Sequence, residues 1–168
     1  MLIRPAQPED ALAVARVHVR SWQSGYRDLL PQKYLDALKP EDRASRYDFV
    51  NTDPTKPKTF VVLEENTICG FATLSPAKDA DKKEMGELCA LYVAPDHWAR
   101  GIGAQLLHHA HAQLAVQGYD EAVLWMLLGN SRAERFYQRH GWEAEGYSRT
   151  SVIWNITVNS LRYRMKLK

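Results

Sequence analysis

The sequence predicts a mixed α/β domain, and three observations indicate it. Short apolar runs with strand character alternate with amphipathic stretches at helical spacing. A pair of glycines, Gly101 and Gly103, stands where an apolar strand gives way to a strong amphipathic helix. The chain has 168 residues, 45% of them hydrophobic and 25% charged, which is enough for one globular core. We therefore expect residues 1–168 to form a single domain.

The first third of the chain is predicted to be mostly helical after one short strand at Leu2–Arg4. Pro8 then stands at the helix position where a missing N–H costs least. The apolar stripe of that helix comprises Leu12, Ala15, Val19 and Trp22. A break at Gly25 and Tyr26 precedes two further helical stretches, which we expect near residues 31–38 and 41–49.

The rest of the chain alternates between strands and helices. Residues 51–59 are dense in Pro, Asn, Asp and Thr and are predicted to form a loop. The predicted strands are Phe60–Leu63, Ile68–Leu74, Leu88–Val93, Ala122–Leu128, Trp142–Ile153 and Thr157–Met165. The predicted helices are Ile102–Val116, closed by Gly118, and Ser131–Arg139. A turn at residues 65–66 makes the first two of these strands a hairpin, and the polar segment 76–86 is predicted to be a flexible loop.

Charge and hydropathy exclude two classes of partner. The net charge is only +2, and Lys and Arg form no run of five or more, so no nucleic acid partner is expected. No stretch approaches the roughly 20 apolar residues that span a bilayer. The first ten residues lack a signal peptide's apolar middle region. We therefore expect a cytoplasmic protein with no membrane partner.

The cysteines and histidines offer little chemistry on their own. Cys69 and Cys89 lie in apolar, strand-like runs, which favours free buried thiols, with a disulfide or a catalytic cysteine as alternatives. His108 and His111 are neighbours on one predicted helix, but no Cys, Asp or Glu joins them nearby. No metal site is expected.

The segment from Leu91 to Leu107 has the features of an anion-binding loop. Two glycines at the start of a helix let the backbone approach a ligand closely. The first N–H groups of a helix are unpaired and its positive dipole end favours an anion, while Arg100 adds a cation. Leu106 stands where a dinucleotide fingerprint requires a third glycine, and no Gly-Lys-Ser/Thr is present. A pyrophosphate suits this loop, and a strand–helix turn without a ligand is the alternative.

A second pattern follows at residues 130–142. Asn130 is a favourable N-cap, and Ala133, Phe136 and Tyr137 share one helix face. Taken alone, Asn130 is also explained as a simple cap and Tyr137 as a core aromatic residue.

Together the two patterns resemble motifs A and B of the GNAT superfamily of N-acetyltransferases, and the resemblance spans residues 60–142. The matching positions of motif A are Val93, Pro95, Arg100, Gly101, Gly103 and Ala104, whereas Trp98 stands where Gln or Arg is usual. The matching positions of motif B are Asn130, Ala133, Phe136, Tyr137, Gly141 and Trp142.

The resemblance implies a fold and a donor. The implied fold is a mixed, mostly antiparallel sheet of about seven strands flanked by four to five helices. The implied donor is acetyl-CoA, whose pyrophosphate the family binds with backbone amides of the motif A loop. The implied cofactor-binding residues are Leu91, Tyr92, Val93, Ala99, Arg100, Gly101, Ile102, Gly103, Ala104, Asn130 and Tyr137.

Acetyl transfer to an amine needs a base or a desolvating pocket, because an amine with a pKa near 10.4 is mostly charged at neutral pH. Glu87 is the candidate base, and the period of two predicts that it shares a strand face with Cys89, Leu91 and Val93. An exposed strand-end carboxylate is the alternative for Glu87, and Glu84 is its nearest rival. Tyr137 is the candidate general acid toward the CoA sulfur, and the Val93 amide is a candidate donor to the oxyanion.

The candidate acceptor-binding residues are Trp22, Tyr26, Glu87 and Trp154. Trp22 and Tyr26 are four residues apart and share a face on a continuous helix. Aromatic rings beside a carboxylate suit a cationic amine, although Trp22 is also explained by core packing. A small-molecule amine is the favoured acceptor, and a peptide N-terminus or Lys is the runner-up. A non-catalytic acyl-CoA-binding sensor and a homodimer both stay open.

Overall fold

A computed structural model describes residues 1–168 and contains seven strands in one sheet, flanked by five α-helices. The strands are β1 (Leu2–Pro5), β2 (Lys58–Glu64), β3 (Thr67–Pro76), β4 (Gly86–Val93), β5 (Glu121–Leu127), β6 (Glu143–Ile153) and β7 (Ile156–Lys166). The helices are α1 (Ala11–Gly25), α2 (Gln32–Asp36), α3 (Pro40–Ala44), α4 (Ile102–Val116) and α5 (Ser131–Arg139). The predicted mixed α/β fold is confirmed.

The sheet is mostly antiparallel, with the order β1-β2-β3-β4-β5-β7-β6. Only β4 and β5 run parallel. On one face, α4 buries Ile102, Leu106 and Leu114 against the sheet. On the other face, α1 buries Val14 and Val17 against β2 and β3. None of the helices has the length and apolar character that a bilayer-spanning helix needs.

Helix α3 ends earlier than the sequence predicted, at Ala44 rather than near residue 49. Tyr47 and Phe49 explain the difference, because their rings stack with centroids 5.0 Å apart and both pack against the α1 side of the sheet. Residues two apart do not face each other on a helix. The chain therefore leaves the helix before Tyr47, so that both rings reach the same surface.

Strands β4 and β5 touch over only two residue pairs, Gly86 with Ala122 and Glu87 with Val123. Beyond these pairs the two strands diverge, and a groove opens between them. This divergence leaves the outer edge of β4 from Leu88 to Val93 without a neighbouring strand.

A β-bulge at Cys89 changes which side chains share a face of β4. Ala90 pairs with Thr73, but the next residue of β3, Leu74, pairs with Leu88, so Cys89 is the extra residue. After this bulge, Glu87 lies on the same face as Ala90 and Tyr92. The prediction that Glu87 shares a face with Leu91 and Val93 was wrong, because an inserted residue reverses the alternation.

Candidate active site

The loop between β4 and α4 has two residues in the left-handed region. Ala99 has a φ of 61° and Gly101 has a φ of 77°. This conformation is costly for a residue with a side chain and nearly free for glycine. The two left-handed residues direct the chain into α4 while leaving its entry exposed to solvent.

Six consecutive backbone amides, from Ala99 to Ala104, donate no hydrogen bond within the protein. Gln105 is the next residue, and its amide donates a hydrogen bond to Gly101 O at 3.1 Å. These amides lie at the positive end of a 15-residue helix, where an anion is favoured. Ile102 contributes only its amide, because its side chain is buried in the core. The loop therefore fits a pyrophosphate.

Arg100 lies beside these amides with a mobile charge. Its guanidinium Nη1 is 3.4 Å from Glu64 Oε2, and its side chain is 56% exposed. An ion pair this exposed contributes little to stability, so Arg100 can exchange Glu64 for a ligand at low cost.

The groove between β4 and β5 has a cavity of about 200 Å³ that α5 borders. Six of the predicted cofactor-binding residues line it: Leu91, Tyr92, Val93, Gly103, Asn130 and Tyr137. The Ala94 amide donates to Cys69 O at 2.8 Å in the ladder with β3. Because hydrogen-bonded pairs alternate in an antiparallel ladder, the Leu91 and Val93 amides face away from β3, toward the groove.

Helix α5 brings Tyr137 to this groove. Asn130 caps the helix, since its side-chain oxygen accepts a hydrogen bond from the Ala133 amide at 3.3 Å. Burial raises the pKa of Tyr137 above its usual value, so its phenol stays protonated at neutral pH. A protonated hydroxyl in the groove is a hydrogen-bond and proton donor.

Two groove side chains, Trp98 and Arg132, were not among the predicted site residues. The Arg132 guanidinium carbon lies 3.4 Å from the centroid of the Trp98 ring, and both residues line the groove. The Trp98 indole Nε1 donates to Val93 O at 2.7 Å. Trp98 thus fixes the end of β4 and supports Arg132. No sequence spacing links the two residues, because they lie on different elements.

A larger cavity, of about 500 Å³, lies on the α1 side of the sheet and is called the acceptor cavity below. Trp22, Tyr26, Glu87 and Trp154 all line it, so the structure brings the predicted acceptor residues together. The acceptor cavity and the groove share six lining residues: Tyr26, Cys89, Ala90, Tyr92, Trp125 and Leu127. The two cavities therefore adjoin at the Cys89 bulge.

His18 organises the aromatic wall of the acceptor cavity. It stacks on Tyr92 at 4.8 Å and contacts Trp22 at 5.7 Å and Trp154 at 5.1 Å, measured between ring centroids. Its Nδ1 is 3.0 Å from the Tyr47 hydroxyl. Burial lowers the pKa of His18 to about 3, so the ring is neutral. Its position four residues before Trp22 was a helical-face signal that the sequence reasoning did not use.

Glu87 is buried at the wall of the acceptor cavity, only 7% exposed. Its Oε2 accepts a hydrogen bond from the Lys78 amide at 3.2 Å. The next residue, Asp79, accepts hydrogen bonds from Trp125 Nε1 at 2.9 Å and from Arg162 Nη1 at 3.2 Å. The segment between β3 and β4 is a loop as predicted, but these contacts hold it against the sheet. Glu84, the alternative candidate for the base, is exposed and lines neither cavity.

Cys89 lies where the two cavities meet, but its thiol is poorly suited to act as a nucleophile. Burial raises its pKa to about 11, so the thiolate is scarce at neutral pH. Its Sγ is 3.1 Å from the Ser75 hydroxyl. Both cysteines are free thiols.

One cluster with metal-ligand chemistry, formed by Glu64, Cys69 and His97, was not predicted. Their ligand atoms lie within 4.8 Å of one another. Arg100 already pairs with Glu64, and burial raises the pKa of the Cys69 thiol. A cation in this position competes with the guanidinium and meets a protonated thiol, so the cluster is a poor metal site.

Comparison of the sequence with models of known protein families identifies the family of this chain. The model described as the acetyltransferase (GNAT) family matches residues 19–142. This chain belongs to the GNAT acetyltransferase family. It is therefore an N-acetyltransferase, and acetyl-CoA is its acetyl donor.

Relatives of this GNAT enzyme include uncharacterized bacterial proteins. The uncharacterized N-acetyltransferase YuaI of Bacillus subtilis is 28% identical over 139 residues, which cover 82% of this chain and 78% of YuaI. The uncharacterized N-acetyltransferase Rv2669 of Mycobacterium tuberculosis is 30% identical over 113 residues, which cover 67% of each protein.

Solved structures share the fold at low sequence identity. The PaiA N-acetyltransferase from Thermoplasma acidophilum, solved in complex with coenzyme A, has a TM-score of 0.78 and 20% identity, and the match covers 98% of each chain. The structure of yncA from Salmonella typhimurium, solved with its cofactor acetyl-CoA, has a TM-score of 0.72 and 16% identity. That match covers 100% of this chain and 94% of yncA.

Proposed function

We propose that residues 1–168 act as one domain that transfers an acetyl group from acetyl-CoA directly to the primary amine of a small molecule. The observation that carries this proposal is the acceptor cavity of about 500 Å³, which joins the groove beside β4. Its volume lies within the roughly 300–1,000 Å³ that small-molecule sites occupy.

The donor is assigned to the groove and to the loop at its end. The unpaired amides from Ala99 to Ala104 are suited to the pyrophosphate of CoA. The groove-facing amides of Leu91 and Val93 are suited to the pantetheine arm and to the acetyl carbonyl. PaiA and yncA support this assignment, since both share the fold and were solved with coenzyme A and with acetyl-CoA, respectively.

The reaction needs two proton carriers on opposite sides of the thioester. We assign the base to Glu87, on the acceptor side of β4, and the acid to Tyr137, in the groove. The amine nitrogen forms the new bond to the acetyl carbon and loses a proton to Glu87, directly or through a water. The carbon–sulfur bond breaks, and the departing sulfur takes the Tyr137 proton. No metal and no covalent enzyme intermediate is required.

A thiol-detecting assay of CoA release tests the proposal on a panel of small primary amines and short peptides. We expect saturable acetylation of at least one small amine, with the acetylated product identified by mass spectrometry. Tight acetyl-CoA binding without turnover on any member would instead indicate an acyl-CoA sensor. A kcat/KM that is higher for peptides than for every small amine would move the acceptor to protein N-termini or Lys side chains.

A further inference from the structure

The acceptor cavity carries more positive than negative charge. Its cationic lining residues are Arg43, Arg46, Lys56, Lys78 and Arg149, and its carboxylates are Asp48 and Glu87. His18 adds no charge, because burial lowers its pKa to about 3. A protonated amine is repelled on balance by this set of charges unless it carries a negative group of its own.

Arg43 is the half-buried member of this set whose charge has no partner. No carboxylate forms an ion pair with it, whereas Arg149 pairs with Asp79 at 3.4 Å. The Nε atoms of both arginines are buried and make no hydrogen bond, so the missing ion pair is what sets Arg43 apart. The other three cations are exposed to solvent, which screens their charge.

Two aromatic rings hold the Arg43 guanidinium in the cavity wall. Its central carbon lies 5.5 Å from the centroid of Tyr47 and 5.2 Å from the centroid of Trp154. Ring faces stabilise a guanidinium without using its hydrogen-bond donors. The two Nη nitrogens of Arg43 form no ion pair, so they can donate to a ligand oxyanion, which a carboxylate matches with two parallel hydrogen bonds.

We propose that the acceptor is a primary amine that also carries a carboxylate, and that Arg43 binds this carboxylate. The inference rests on the proposed transfer to an amine in the same cavity, and it names the chemical class of that amine. Glu87 then accepts the proton from the amine of the acceptor, and Arg43 binds its carboxylate.

Arg43 and Glu87 belong to different elements of the cavity wall. Arg43 lies on α3 and Glu87 on β4, and both line the acceptor cavity. One acceptor molecule can therefore meet Glu87 with its amine and Arg43 with its carboxylate.

A matched pair of amines tests the inference in the acetyl-transfer assay. The pair is 4-(2-aminoethyl)benzoate and 2-(4-methylphenyl)ethylamine, which differ in the carboxylate but have similar bodies. We expect wild type to favour the benzoate at least about tenfold in kcat/KM, the scale of one charge-assisted hydrogen-bonded pair. Arg43→Met should remove this preference, while Arg43→Lys should keep part of it.

The control variant is Arg27→Met, which removes an exposed arginine outside the acceptor cavity and should retain the full preference. Equal kcat/KM values for the two amines in wild type would overturn the inference. A preference for the benzoate that survives in folded Arg43→Met would do the same.

A binding experiment separates this inference from the proposed function. NMR titrations compare 4-ethylbenzoate with 4-ethylbenzyl alcohol, neither of which has an amine, in the presence of CoA. We expect the benzoate to bind wild type at least about tenfold more tightly, and Arg43→Met to bind both equally. If no amine is acetylated but this difference is found, the transfer proposal fails and the carboxylate site stands. If the alcohol binds as tightly as the benzoate, the carboxylate site is wrong even when amines are acetylated.

Discussion

The Trp98 indole and the Val93 carbonyl are joined by a hydrogen bond of 2.7 Å, so the end of β4 is tied to the loop that follows it. The same ring supports the Arg132 guanidinium. A residue that departs from the usual motif thus connects the strand, the anion-binding loop and α5.

Replacing Trp98 should weaken acetyl-CoA binding in two steps. Trp98→Phe removes the hydrogen bond but keeps a ring beneath Arg132, so we expect the Kd for acetyl-CoA to rise about fivefold, the scale of one hydrogen bond. Trp98→Ala removes both contacts, and we expect a rise of tenfold or more, since a cation–π contact is worth roughly 0.5–2 kcal/mol. Calorimetry measures both values. An unchanged Kd in folded Trp98→Ala would show that the tie does not position the donor site.

Gly103→Val should weaken acetyl-CoA binding by about tenfold or more. Position 103 lines the groove in the first turn of α4, where a branched side chain crowds a ligand that approaches the backbone. Gly103→Ala is the matched control, because an added Cβ meets Phe136 at an ordinary contact distance of 3.6 Å. We expect the alanine variant to keep most of its affinity. Equal affinities of the valine variant and wild type in calorimetry would refute crowding.

Tyr137→Phe should leave acetyl-CoA affinity nearly unchanged and lower kcat by roughly 10–10⁴-fold, the range for removing a general acid. Because burial raises the pKa of Tyr137, its proton stays in place well above neutral pH. We therefore expect no loss of wild-type kcat from this group up to about pH 10, the usual pKa of a phenol. Tyr147→Phe, at an exposed position outside both cavities, is the control. Unchanged turnover with lowered thermal stability would make Tyr137 a packing residue only.

Glu87→Gln should lower kcat/KM most at neutral pH and recover part of it as pH rises. The amide oxygen of Gln can still accept the hydrogen bond from the Lys78 amide, so the loop should stay in place. With the base gone, the rate depends on the fraction of amine that is already neutral, which grows toward the amine's pKa near 10.4. A pH–rate profile parallel to wild type and of similar size would remove Glu87 from the mechanism. Desolvation in the cavity would then deprotonate the amine.

His18 should make the protein less stable as pH falls below neutral. The unfolded chain takes up a proton near pH 6.5, whereas burial keeps His18 neutral in the folded state down to about 3. The unfolded state then binds more protons, so the free energy of unfolding falls with falling pH, by at most about 1.4 kcal/mol per pH unit.

Urea unfolding of wild type and His18→Gln between pH 7 and 5 checks this slope. We expect the free energy of unfolding of the variant to fall less steeply with falling pH, by the contribution of one protonated group. The part due to His111, whose pKa burial lowers to about 4, should remain. Identical slopes in the two proteins would mean that His18 is protonated in the folded state.

Local patterns predicted most of the elements, because their signals lie within short stretches of chain. The paired glycines and the Asn130 cap gave the bounds of α4 and α5 as the structure has them. The face of Glu87 was not predictable in this way, since the bulge at Cys89 depends on pairing with β3. The grouping of Arg43 with Trp154, and of Trp98 with Arg132, also depends on tertiary contacts between distant segments. A contact between a cation and an aromatic ring on distant segments leaves no periodic pattern in the sequence.

The short parallel contact between β4 and β5 divides the sheet into two panels. Only the pairs Gly86–Ala122 and Glu87–Val123 join their ladders. The Arg162 contacts to Asp79 and Asp81 cross the same seam from the side, and one buried apolar cluster, with Leu88 of β4 and Leu124 of β5, spans it. The two panels are therefore held together by side chains more than by backbone pairing.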